Sequence, residues 1–86
     1  MTSEEFKKRF QKHPLGYAFQ SMEITETLGS LGSNFSIVEG MLMLLEFQGE
    51  ITKPEYEFLR EALRGNAQRN KKRIEKTNSL GTTTKQ

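Results

Sequence analysis

The chain has 86 residues, no cysteine and a formal charge of +2. That length sets an upper limit of one domain, burying only roughly 60% of the surface exposed on unfolding. The absence of cysteine excludes disulfides, thiolate metal sites and a thiol nucleophile. Self-association is then the common remaining way to stabilise so small a core.

The charge is unevenly distributed. Residues 1–63 hold six Lys or Arg against ten Glu, 6 − 10 = −4, whereas from Arg64 onward seven basic residues face Glu75 alone, 7 − 1 = +6. An acidic body with a basic appendage could meet nucleic acid, an acidic protein surface or a second subunit. Residues 1–12 lack the apolar core of a signal peptide, and the longest apolar run, residues 41–45, is too short to span a bilayer. The sequence therefore predicts a cytoplasmic location and no membrane partner.

The first helix is expected to start at Ser3, ahead of Glu4 and Glu5, which suit the positive end of a helix dipole. Phe6 and Phe10 share a face, and Pro14 predicts an end near His13. A second helix is expected over residues 15–28. It has one stripe of Leu15, Ala18, Phe19 and Met22 and another of Tyr17, Ile24, Leu28 and Leu31, and Gly29 and Gly32 close it. Ser33 or Asn34 should cap a third helix reaching Gln48, whose middle, residues 41–45, is apolar around most of its circumference. Thr52-Lys53-Pro54-Glu55 is the clearest local signal: a capping threonine, an early proline, and a glutamate three residues on that completes a capping box. The fourth helix turns Ile51, Phe58, Leu59, Ala62 and Leu63 inward, while Glu57 and Glu61 can pair with Arg60 and Arg64. It is expected to pass Gly65 and reach about Lys76, with a disordered tail beyond Thr77. The reading is all-α: a small bundle of three to four helices, with residues 1–65 as the core domain and 66–86 as a basic helical extension and tail.

Catalysis lacks parts. His13 is the lone histidine, its simplest role is at a helix end, and no serine has a base implied nearby. Two-metal carboxylate bundles use a Glu followed three residues later by His, and no such pair occurs, so neither a metal nor a cofactor is expected. Gly29-Ser30-Leu31-Gly32 is similar to the loop with which KH domains clamp nucleic acid, but it holds no basic residue and no strands flank it. A plain helix connection is the simpler reading. The alternative is a small anionic, nucleotide-like ligand held by Gly32, Ser33 and Asn34 with Arg60, Arg64 or the Lys7 to Arg9 cluster of a neighbouring copy. Arg64, Arg69, Lys71, Lys72, Arg73 and Lys76 form the best nucleic-acid candidate, although no aromatic residue interleaves them for base stacking.

A domain this small has few faces on which to bury five consecutive large apolar side chains. Met41, Met43, Leu44 and Phe47 are therefore expected to meet another chain, and Leu63, Ala67, Asn70 and Ile74 keep the four-three-four spacing of a thin coiled-coil seam. These features predict a non-enzymatic, self-associating helical protein that acts as an adaptor or inhibitor by binding another macromolecule. Nucleic-acid binding and anion sequestration remain the alternatives.

Overall fold

A computed structural model of the chain describes residues 2–85. It is all-α, with four helices in order: α1 (Ser3–Arg9), α2 (Pro14–Ile24), α3 (Leu28–Phe47) and α4 (Lys53–Lys85). No strand occurs among the described residues. The core is one cluster in which Leu15, Phe19 and Met22 of α2 meet Leu31, Val38, Leu42 and Leu45 of α3 and Leu59, Leu63 and Ile74 of α4. Phe10 and Ile51 close it from the connections.

Local chemistry explains the boundaries, and several differ from the sequence expectation. Thr2, not Ser3, caps α1, accepting from the Glu5 amide at 3.1 Å. Helix α1 stops at Arg9 rather than near His13. His13 instead caps α2, its Nδ1 accepting from the Leu15 amide at 3.0 Å, because Pro14 pushes the residue before it into the extended conformation that a cap needs. Gly16 lies under the turn between them. A Cβ there would collide with the Phe10 carbonyl oxygen, so the backbones approach at a distance only glycine permits.

Helix α2 ends at Ile24, four residues early. Ile24, Thr25 and Thr27 are β-branched and weak helix formers, and Thr27 offers its hydroxyl to the Ser30 amide at 3.1 Å, starting α3 at Leu28. Gly29 and Gly32 consequently lie inside α3 rather than ending α2, and Ser33 and Asn34 sit in its second turn rather than capping it. Among the described residues only Gly49 has a positive φ, 76°. It ends α3 in a Schellman arrangement: the Glu50 amide reaches back to the Leu45 carbonyl at 2.9 Å and the Gly49 amide to that of Glu46 at 3.0 Å.

The expected capping box closes α4 reciprocally: Glu55 N–H donates to Thr52 Oγ1 at 3.2 Å, and Thr52 N–H donates to Glu55 Oε1 at 2.9 Å. From there α4 runs unbroken through Gly65. Its backbone remains helical to Lys85, past the end expected near Lys76 and through the stretch expected to be disordered. The short connection folds α4 back along α3, and the chain extends 53 Å along its longest axis.

Candidate functional site: the outer face of α3

Helix α3 divides sharply around its circumference. Leu31, Val38, Leu42 and Leu45 are buried on one side. On the other, Gly29, Gly32, Ser33, Ser36, Ile37, Gly40, Met43, Leu44 and Phe47 are all exposed. At 3.6 residues per turn these nine positions fill an arc of about 140° opposite the core. None is charged. The only charges of α3, Glu39 and Glu46, stand half-buried on its flank. Phe47 is 89% exposed, Met43 59%, Leu44 54% and Ile37 51%.

The expectation of an all-round apolar middle thus resolves into two faces: Leu42 and Leu45 inward, Met43 and Leu44 outward, Met41 at the boundary. By length and composition α3 is also long and apolar enough to cross a membrane, contrary to the expectation from the short run at residues 41–45, because its glycines and serines break that run without adding charge. In the fold, however, its inner stripe supplies the centre of the core.

The second expected interface is not available to a partner. Leu63, Asn70 and Ile74 are buried and Ala67 is packed against the core within this chain, so the four-three-four seam is the inner face of α4 in its own bundle. The polar position is satisfied internally: Asn70 Nδ2 donates to the Asn66 side-chain oxygen at 2.7 Å and to its carbonyl at 2.9 Å. Asn66 in turn donates to Glu23 at 2.9 Å, tying α4 to α2.

The basic segment is also partly engaged. Arg73 donates through Nε to Asn70 Oδ1 at 3.0 Å and through Nη2 to the Thr25 carbonyl at 2.7 Å, with Met22 O at 3.5 Å. It therefore serves the carbonyl end of α2, where a cation is favoured by the helix dipole. Arg64 pairs with Glu61 at 3.1 Å, the one realised member of the expected ion pairs along α4. Arg60, Arg69, Lys71, Lys72 and Lys76 are exposed.

The anion alternative finds little support in the geometry. The depression beside the start of α3, lined by Thr27, Gly29, Ser30, Ser33 and Asn34, contains no cation in its wall, and Thr27 already occupies the Ser30 amide. A larger open groove between α1, α2 and α4 is lined by Phe6, Phe19 and Phe58 and by charges of both signs, Lys7, Lys8 and Arg69 with Glu4 and Glu23. Sequence reasoning did not find it, because its walls come from three helices and no local spacing connects them. Among the described residues, no group of three or more metal-ligating side chains comes together.

No family model, curated protein or solved structure matches the chain. Along the described surface, the outer face of α3 brings four exposed large apolar side chains together on one uncharged helix face. Fully burying one large apolar side chain is worth about 1.5–3 kcal/mol, and this face leaves Phe47 almost wholly and Met43, Leu44 and Ile37 about half exposed.

Proposed function

We propose that this chain is a non-catalytic helical interaction protein that self-associates through the outer face of α3 and acts by occupying a surface of another macromolecule. The observation that carries the reading is the continuous uncharged arc on α3, ending in a Phe47 side chain that the bundle leaves almost wholly exposed. Solvent-facing helix surfaces are ordinarily charged, as α4 illustrates. Met43 lets such a surface adapt to an irregular partner, and Gly40 lets a backbone come close.

The test is mass by light scattering across a range of protein concentrations, with Phe47→Glu and Leu44→Glu made singly. Both side chains point away from the core, so the variants should keep the wild-type helical circular dichroism while losing the higher-mass species. Assembly unaffected by either change would remove α3 as the contact.

A further inference from the structure

Resting on that reading, we infer that the occupant of the α3 face is the α3 face of a second copy, packed antiparallel about a two-fold axis near Ser36 and Gly40. Three features lead there.

The first is the order of side-chain sizes along the face. Its amino-terminal half carries Gly29, Gly32, Ser33 and Ser36; its carboxy-terminal half carries Met43, Leu44 and Phe47. An isologous two-fold contact reverses one helix against the other while keeping each edge of the face beside its own counterpart. In that arrangement Phe47 lies over the partner's Gly29, Met43 over the partner's Gly32, Leu44 over the partner's Ser33, and Gly40 against the partner's Ser36. Phe47, Met43 and Leu44 each meet a small residue, and Ile37, on one edge close to the axis, lies beside its own counterpart. A parallel pairing would instead stack Phe47 on the partner's Phe47 and leave the small halves facing each other across a gap.

The second is the glycines themselves. An added Cβ at Gly29, Gly32 or Gly40 would meet nothing within 4 Å, so nothing inside the monomer requires glycine there. Glycine weakens a helix relative to alanine, and a neighbouring backbone or bulky side chain at close range supplies the missing reason.

The third is charge along the molecule. With the Glu61–Arg64 ion pair between them left out, the end formed by residues 4–12 and 39–60 sums to 6 basic − 7 acidic = −1. The opposite end, with Glu23, Glu26 and residues 69–76, sums to 5 basic − 3 acidic = +2. The Arg9–Glu55 ion pair fixes the first grouping, and the Asn66–Glu23 and Arg73–Thr25 hydrogen bonds fix the second. Antiparallel packing sets the negative end of each copy beside the positive end of the other, and parallel packing sets like against like.

The absence of native cysteine makes the arrangement directly readable. Gly29→Cys and Phe47→Cys are prepared separately, mixed and mildly oxidised, and the products are weighed by mass spectrometry. The expected product is the mixed disulfide, in several-fold excess over either homodisulfide. Gly32→Leu, which has open space in the monomer, should retain helical circular dichroism and weaken association at least tenfold by filling the seat of the partner's Met43. Homodisulfides dominating, with association still lost in Leu44→Glu, would overturn the antiparallel pairing and leave the interaction face standing. A wild-type chain that is monomeric at every concentration would overturn both. If such a monomer sedimented with phosphatidylglycerol vesicles and Phe47→Glu did not, the face would belong to a lipid surface and not to a second copy.

Discussion

At Gly16 two general tendencies oppose each other. Replacing a helical glycine with alanine ordinarily stabilises by about 0.5–1 kcal/mol. Here the new Cβ would strike the Phe10 carbonyl oxygen, a backbone atom that cannot swing aside. Overpacking of this kind typically costs about 1–3 kcal/mol and is the larger effect, so Gly16→Ala should lower the urea midpoint. Gly40→Ala should raise the stability of the monomer by up to about 1 kcal/mol, since its surroundings are open. Arg73 makes a comparable point about charge. Removing it leaves the Thr25 carbonyl and Asn70 Oδ1 without their donor, and hydrogen bonds from charged groups contribute roughly 1.5–3 kcal/mol. Arg73→Met should therefore destabilise the fold by about 2 kcal/mol in chemical denaturation, whereas Lys72→Met, on the same exposed stretch but outside that hydrogen-bond set, should change it little.

Among the helices, the amino-terminal end of α4 is where local chemistry is most explicit. Thr52→Ala should cost about 1 kcal/mol, read as a shift in the denaturation midpoint. Glu55 also receives Arg9, whose Nη1 lies 2.7 Å from Oε2 and whose Nη2 reaches the Glu50 carbonyl, so one carboxylate both caps α4 and anchors α1. The backbone N–H of Thr52 is the chief cause holding the Glu55 carboxyl below its ordinary value, partial desolvation opposes it, and the Arg9 charge and hydrogen bond reinforce it. Because the folded state binds this proton less readily than the unfolded state, the stabilisation is fully present above the unfolded carboxylate value and is lost as pH falls through the lower, folded one. Glu55→Gln should flatten the corresponding part of the acid limb in a pH series of thermal midpoints.

The same end of α4 shows why parts of the chain were legible in sequence and others were not. A capping box lies within four consecutive residues, so Thr52 and Glu55 declare it without knowledge of the fold. The α2–α3 junction was misread because glycine is compatible with either a stop or a helix interior. The decision fell to the Thr27 hydroxyl, whose capping role depends on where α2 has already ended. The seam at Leu63, Ala67, Asn70 and Ile74 was read as a contact with another chain, because periodicity records only that a face is covered. Whether the cover is the same chain or another is tertiary information. Leu42 and Leu44 likewise share a composition and a run, and only the docking of α2 and α4 separates the inward residue from the outward one.

For the whole molecule, the balance between a small core and an uncovered apolar face predicts that stability depends on concentration. Dimerisation that favours the folded chain raises the thermal midpoint by mass action. The wild-type midpoint should therefore climb with protein concentration, while that of Phe47→Glu should stay constant. The end-to-end charge arrangement adds that wild-type association should weaken with added salt, modestly, since the ends carry few net charges.

Helix α4 continues past the described core. Ile74 is the last core residue among those whose burial is described, and at 1.5 Å per residue the helical backbone to Lys85 carries on for about 16 Å past it. Lys76 stands exposed just beyond that point. Brief digestion with trypsin should clip after Lys76 early, leaving a resistant fragment with native helicity, because the described core residues all lie upstream of the cut.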